Sequence, residues 1–371
     1  MSSFAALNLR PELLFSLQAL HYASPSAAQL QFLPPLLKGR DLLGQARAGT
    51  GKTLAFILAA LNAVDVDELS PQILILTPTH ELAIQTGEKI AKLGQTLKVI
   101  CRACYGGTNV RGDINALQQG VQVVVGTVGR VYDMISNDRL ETDRLKLLVI
   151  DDADMMGPGR YREQFYYILK SMPKSIQTAF ISTTFPVKFQ RFALSWLLEP
   201  VKVVETPNNL CPKNVSQYFY PLKKEADRLP ACLSLLDKLQ GKKVLVFCKA
   251  SFEDLETQLK AKGREVLFHH SEKMQSAREK VVSAFRKKSS IVLVNSGLLA
   301  RGLDVIDIDV VVMYSLSSGV EYVHSVGRCG RFGRKGVAVT LANQAQGKFL
   351  KNMERQYKVK IQQLAEDFEG I

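Results

Sequence analysis

Between a strand-like run, Asp41–Leu43, and a long apolar stretch, Leu54–Ala63, lies Ala46-Arg47-Ala48-Gly49-Thr50-Gly51-Lys52-Thr53. Glycines let a backbone wrap an anion with its N–H groups pointing inward, and the helix opening behind the loop adds positive potential. Strand, tight loop and helix in that order restrict the chain to an α/β fold with this loop at the carboxyl end of a strand. Ala48, Gly49, Thr50 and Gly51 form a phosphate cradle. Lys52 is placed to reach β- and γ-phosphates, and Thr53 to reach Mg2+.

The rest of the chain repeats that alternation. Ile73–Leu76, Val123–Val125, Leu147–Ile150 and Ala179–Ile181 are short apolar runs, separated by amphipathic stretches such as Glu81–Leu93 and Gln164–Leu169. Continuous apolar runs are strands buried on both faces, so the expected sheet is mostly parallel and covered by helices on each side. The pattern restarts with Val244–Phe247, Val266–Phe268, Ile291–Val294, Val310–Met313 and Val337–Leu341. At 371 residues the chain is long enough for two such cores. The segment Glu205–Asn214, with two prolines and three asparagines, is expected to separate them. The expected organisation is a first domain over 1–205, a linker over 206–214 and a second domain over 215–371. No internal sequence repeat relates the halves.

Charge narrows the partner. The net charge is +13, with 22 basic and 18 acidic residues before Val215 and 26 and 17 after it. A basic excess concentrated in one domain suits a polyanionic partner, either nucleic acid or an anionic membrane surface. No apolar run approaches the ~20 residues needed to span a bilayer, and the start does not read as a signal peptide. The six cysteines are scattered. The one CxxC, Cys101 and Cys104, has no second pair and is expected within a strand. Together these point to an intracellular protein, cytoplasmic or nuclear, that does not engage membranes.

A second nucleotide element is Leu147-Leu148-Val149-Ile150-Asp151-Asp152-Ala153-Asp154. A carboxylate ending a buried strand is placed to hold Mg2+ through water, and the next one to orient an attacking water. Phosphate loop and carboxylates, in this order, resemble the DEAD-box RNA helicase family. The resemblance spans essentially the whole chain and is nearest in layout to minimal-core members of translation initiation and mRNA decay.

That resemblance implies two tandem RecA-like domains, ATP and Mg2+ as cofactors, and single-stranded RNA as partner. Pro25-Ser26-Ala27-Ala28-Gln29 resembles the Q motif, in which Gln29 would read adenine and Phe4 would stack on it. Pro78-Thr79-His80-Glu81-Leu82-Ala83 resembles PTRELA, Gly106-Gly107 the GG turn, and Thr127-Val128-Gly129-Arg130 TPGR. Pro78, Thr79, Gly107, Thr127, Gly129 and Arg130 would therefore hold RNA phosphates, contacts that position a strand without reading its bases. Ser182-Thr183-Thr184 resembles SAT, so Ser182 and Thr184 would couple to Asp154. In the second domain Gln275, Arg278, Ser296 and Arg301 match RNA-binding positions, and Asp304 the ribose contact. His324-Ser325-Val326-Gly327-Arg328-Cys329-Gly330-Arg331 resembles HRxGRxGR, with His324 a coupling residue and Arg328 and Arg331 arginine fingers. The catalytic set implied is Lys52, Asp151, Asp152, Arg328 and Arg331. The implied mechanism is closure of two incomplete half-sites by a monomer, aided by protein activators, with local separation of short duplexes.

Five positions depart from the family pattern. Asp152 replaces Glu, His80 replaces Arg, Val128 replaces Pro, Gly297 replaces Asp and Ser325 replaces Arg. Asp152 is one methylene short, which implies attenuated hydrolysis. An ATP-gated RNA clamp with little turnover is the main alternative, and a DNA helicase of the same superfamily a third.

Overall fold

The computed structural model describes residues 3–156, 161–249, 251–263, 265–270, 272–296, 305, 307–316, 318–365 and 367–368. The chain divides into two compact units, one ending at Val204 and the next beginning at Glu205. The segment 205–214, expected as a linker, is part of the second unit. Leu210 and Cys211 are buried in that unit's core, and this apolar pair outweighs the prolines and asparagines around it.

The first unit is a seven-stranded parallel sheet in the order β3-β4-β2-β5-β6-β1-β7. In chain order the strands are β1 (Leu42–Gln45), β2 (Ile73–Thr77), β3 (Cys101–Cys104), β4 (Val123–Thr127), β5 (Leu147–Asp151), β6 (Gln177–Ser182) and β7 (Val201–Val204). Alternate strand residues feed opposite faces, as the two-residue period requires. Ile73, Ile75, Val123, Val125, Leu147 and Val149 pack beneath α1 (Pro11–Ala19), α2 (Ala27–Leu37), α3 (Lys52–Ala63) and α4 (His80–Leu93). Leu74, Leu76, Val124, Leu148, Ile150 and Phe180 pack against α6 (Val128–Ser136), α7 (Arg162–Lys170) and α8 (Val187–Leu194). Between β3 and β4 runs α5 (Val110–Gln118). The central strands are apolar throughout because both of their faces are covered.

The second unit repeats the topology. Its strands are β8 (Val215–Pro221), β9 (Lys243–Phe247), β10 (Val266–His269), β11 (Ile291–Asn295), β12 (Val310–Met313), β13 (Gly336–Ala342) and β14 (Ile361–Gln363). They run in the order β10-β11-β9-β12-β13-β8-β14, which matches the first sheet strand for strand. α9 (Arg228–Lys238) and α10 (Phe252–Ala261) cover one face; α11 (Gln275–Lys287), α12 (Gly319–Val326) and α13 (Gln344–Tyr357) cover the other. The duplication is one of fold, with no sequence repeat to announce it. Arg228 closes this unit by donating to the Leu341 carbonyl at 2.7 Å and to Gln346 Oε1 at 2.9 Å. Among the described residues no helix is long and apolar enough to cross a membrane.

Candidate nucleotide site and nucleic-acid interface

Strand order partitions the carboxyl edge of the first sheet. The adjacent strands β3 and β2 end in the Gly106–Gly107 and Pro78–Thr79 loops, and β4 between them passes at Thr127 straight into the first turn of α6, which holds Gly129 and Arg130. The next strands, β5, β6 and β1, end at Asp151, at Ser182 and in the phosphate loop. One sheet edge thus carries the expected RNA grips on one side and the nucleotide groups on the other.

On the nucleotide side the loop turns at Gly49 and Gly51, with φ of 75° and 85°, a left-handed backbone that suits glycine. A Cβ on Gly51 would also lie 2.3 Å from Gln29 Nε2. That crowding marks a clamp. Gln29 Nε2 donates to the Gly51 carbonyl at 3.1 Å, and Ser26 Oγ donates to the Thr50 carbonyl at 2.6 Å. Gln29 Oε1 accepts from Ser26 N at 2.8 Å, completing a capping box at the start of α2. Both ends of the amide expected to read adenine are therefore already engaged, Nε2 with the phosphate loop and Oε1 with the start of α2. An adenine contact would fall to the amide's remaining N–H and lone pair. Phe4 is not an open stacking platform, because it is 5% exposed and packs in the first unit's core.

Lys52 is the first residue of α3, and its Nζ donates to the Ala46 carbonyl at 2.7 Å and to Thr183 Oγ1 at 3.1 Å. Thr53 follows in the same turn, which has no side-chain cap on its backbone N–H groups. Asp151 ends β5, and its Oδ1 accepts from Asp152 N at 3.0 Å. Burial and the adjacent Asp152 push the Asp151 carboxyl up to about 7, while Lys52 and Lys89 pull the other way. A carboxyl so disfavoured as an anion fits a divalent cation. Among the described residues no group of three or more His, Cys, Asp or Glu makes an all-protein cage. Mg2+ is commonly held by one or two carboxylates plus substrate phosphates, and that is the set offered here.

Asp152 has φ 45° and ψ 47°, a left-handed conformation that Asp tolerates better than most residues. The backbone thereby sharply reverses and brings Asp154 back under the sheet edge. Ser182 Oγ donates to Asp154 Oδ1 at 2.8 Å, and Thr184 Oγ1 donates to Asp154 Oδ2. The structure brings together the three residues of this unit expected to couple.

On the nucleic-acid side Thr79 caps α4 by accepting from Leu82 N at 3.2 Å, and Gly107 has φ 78°. Thr127 precedes α6 with its hydroxyl unused as a cap. His80 lies against Tyr105, with ring centroids 5.5 Å apart. Arg130, expected as a phosphate ligand, is largely covered and already paired within the unit. Its guanidinium pairs with Asp113 and donates to the Thr108 carbonyl at 2.8 Å. Asp113, which no motif singles out, also accepts from Arg102 Nη2 at 2.8 Å and Nε at 3.0 Å. This Arg–Asp–Arg unit ties the Gly106–Thr108 loop to the first turn of α6. Removing the shared anion leaves Arg130, 9% exposed, without its counter-charge. Asp113→Ala should therefore lower unfolding free energy by about 3 kcal/mol, read as a fall in denaturant midpoint at unchanged slope.

In the second unit Gln275 and Arg278 open α11, and Ser296 follows β11. Gln275 Oε1 accepts from Arg278 Nη2, so these two expected RNA contacts are paired with each other. Arg301, Asp304 and Gly297 lie outside the described residues. Arg328 Nε donates to the His324 carbonyl at 3.0 Å, and Arg331 Nε to the Gly327 carbonyl at 3.5 Å. Their loop is pinned by Asn214, whose Nδ2 donates to the Gly330 carbonyl at 2.7 Å and to the Arg334 carbonyl. Gly330 has φ 68°, and a Cβ there would strike Val215 Cγ2 at 2.4 Å. In the sequence Asn214 is one of three asparagines in the expected linker; its role is visible only in the folded chain. Cys101 and Cys104 lie in β3 as expected, and burial pushes both thiols up to about 12.

Comparison with known proteins agrees with this layout. Residues 26–192 match the DEAD/DEAH box helicase family and residues 227–333 match the helicase conserved C-terminal domain. The ATP-dependent RNA helicase eIF4A of Coccidioides immitis is 38% identical over 365 residues, covering 98% of this chain and 92% of the relative. That of Debaryomyces hansenii is 35% identical over 372 residues, covering 100% and 94%. Saccharomyces cerevisiae Dbp5 bound to RNA and ADP BeF3 superposes with a TM-score of 0.92 at 28% identity, covering 99% of this chain and 96% of that one. A Dbp5 variant bound to a Gle1 variant and IP6 superposes with a TM-score of 0.76 at 28% identity, covering 98% and 95%. Sheet order, motif placement and full-length relatives agree: the chain belongs to the DEAD-box RNA helicase family.

Proposed function

We propose that this protein is an RNA-binding, ATP-driven helicase that locally separates short RNA duplexes. The observation that carries the reading is the division of one sheet edge. Segments suited to phosphate contacts follow β3, β4 and β2, while Lys52, Asp151 and the Asp154–Ser182–Thr184 cluster end β1, β5 and β6. RNA and nucleotide acting on one rigid edge can each raise affinity for the other. Lys52, Thr53 and Asp151 would hold the Mg2+-bound triphosphate, which supplies the phosphoryl group whose transfer to water drives the cycle. Arg328 and Arg331 are assigned to the terminal phosphate when the two units close. The protein acts as a monomer in the cytoplasm or nucleus, in translation initiation or another step of mRNA metabolism. Proteins that favour the closed form would act as activators; that a Dbp5 neighbour binds a Gle1 variant supports a protein partner.

The clamp reading is favoured by one residue. Asp152 is shorter than the family's glutamate by about 1.5 Å, against a water contact of ~2.6–3.2 Å. A misplacement of ~1 Å can cost about 100-fold in rate. The left-handed backbone at Asp152 works against restoring Glu, but its cost of roughly 1–2 kcal/mol in a non-glycine residue falls on stability rather than reach. RNA-stimulated ATPase of the wild type should be slow, and Asp152→Glu should raise it by up to about 100-fold. Equal rates in the two proteins reject the attenuation. ATP-dependent RNA binding without phosphate release in either establishes the clamp.

A further inference from the structure

The carboxyl ends of β10 and β11 carry a polar pair where the strands behind them are apolar. His269 and Asn295 stand directly opposite each other in the parallel register, and both are fully buried. Their side chains meet, with His269 Nδ1 donating to Asn295 Oδ1 at 3.1 Å. An amide oxygen can only accept, so Nδ1 carries the hydrogen. Two residues earlier the same register holds Leu267 and Leu293. Those leucines pack with Val282 and Phe285 of α11, so the two-residue period turns His269 and Asn295 towards the face that α11 covers. Arg278 is buried in the first turn of that helix, paired with Gln275. The backbone of the pair also holds its neighbours. Ser296 N donates to the His269 carbonyl at 3.1 Å, and Cys248 N to the Asn295 carbonyl at 2.9 Å.

A buried polar pair gives up hydration that a leucine pair does not, and its hydrogen bond returns little net stability. What it adds is direction, because apolar side chains tolerate a slide that a hydrogen bond resists. We propose that His269 and Asn295 are positioning residues for the RNA grip of the second unit. The proposal rests on the RNA-binding reading above. Ser296 follows Asn295 directly, and Gln275 and Arg278 lie six and nine residues beyond His269. Fixing the two strand ends against each other therefore fixes the separation of these two grips. Neighbouring phosphates on a strand have a set spacing, so grips on separate segments act together only when their own spacing is held. A pair that only filled the core would be replaceable by leucines, since exchanging both partners of a buried bond for apolar groups can be nearly neutral.

The test uses the full chain with ADP beryllium fluoride and labelled oligo(U), read by fluorescence anisotropy over a salt series, beside the denaturant midpoint of each variant. The double variant His269→Leu with Asn295→Leu should keep the wild-type midpoint and bind RNA about tenfold more weakly, the size of one misplaced bond to a charged group. Its slope of log affinity against log salt should flatten by about 0.7, one phosphate contact on a single strand. His269→Asn puts an amide nitrogen where Nδ1 lies and should bind as wild type does. His269→Gln puts it where Nε2 lies and should bind as weakly as the double leucine variant. Wild-type affinity and slope in a folded double leucine variant, or equal affinities for the Asn and Gln variants, overturn the positioning role. If the double leucine variant unfolds, the contrast between Asn and Gln decides alone. Wild type that does not bind the strand overturns the RNA-binding reading itself, and the pair's role with it.

Discussion

Lys52→Ala should reduce RNA-stimulated ATP turnover by a factor on the order of 10²–10³, the loss expected when a preorganised cationic donor is withdrawn from a transferring phosphoryl group. Three consequences converge on that number. The ammonium that would neutralise the β- and γ-phosphates is gone. The loop loses the bond from Nζ to the Ala46 carbonyl at 2.7 Å, which holds the turn in shape. The link from Nζ to Thr183 Oγ1 at 3.1 Å, which joins the phosphate loop to the residue between Ser182 and Thr184, is also cut. The variant carries a pH signature as well. Burial and Asp152 push Asp151 up to about 7, and Lys52 is one of two lysines opposing that rise. A raised carboxyl stays neutral below its pKa, so binding a cation there must expel a proton at acid pH. Cation-dependent nucleotide binding in the wild type should therefore tighten as pH climbs from 6 towards 8. In Lys52→Ala the largest opposing influence is lost, Asp151 rises further, and the same tightening should appear at more alkaline pH. Calorimetry of Mg2+–nucleotide binding in buffers of different ionisation enthalpy measures the proton released. A profile at the wild-type position, or turnover within a few-fold of wild type, would contradict the placement of Lys52.

What the sequence made legible follows from how each residue earns its place. β2, β4, β5, β9, β11 and β12 are covered on both faces, so composition alone marks them as apolar runs. β7 escaped because an edge strand alternates, and its residues are only partly buried by turns. β14 is three residues long with one buried position, too short to carry a period. At the site, groups defined by local motif were found in the expected places: the glycines of the phosphate loop, Asp151 at a strand end, and Asp154 with its two hydroxyls. Groups defined by long-range pairing were not. Asp113 reaches Arg130 across 17 positions, and Asn214 reaches Arg334 across 120. An isolated Asp or Asn gives no sign of such a partner. Gln29 shows the opposite failure, a motif residue whose expected role is only part of its work because the fold also uses it to brace Gly51.

Arg328→Ala and Arg331→Ala should each lower RNA-stimulated turnover by roughly 10³-fold or more, the scale of a lost arginine finger, while leaving ATP-dependent RNA binding largely in place. The geometry of the second unit explains why these two side chains are suited to the task. Each Nε is anchored on the carbonyl four residues earlier, Arg328 on His324 and Arg331 on Gly327, which restrains the swing of both guanidinium planes. The carbonyls ending a helix carry partial negative charge, so α12 also stabilises the cations it orients. Asn214 and the left-handed Gly330 hold the connecting turn. Such preorganisation is what lets a donor stabilise charge that develops only in the transition state, since no reorganisation is then needed during the reaction. Lysine should not rescue either position. An ammonium is a point charge on a flexible stem and lacks the Nε that makes the anchoring bond, so Arg328→Lys should remain within about tenfold of the alanine variant. Single-turnover hydrolysis separates the chemical step from product release, and anisotropy with ADP beryllium fluoride reports the clamp. Loss of the first with survival of the second assigns the arginines to phosphoryl transfer. Equal loss of both would instead make them RNA-binding residues, and hydrolysis would have to be completed by other groups.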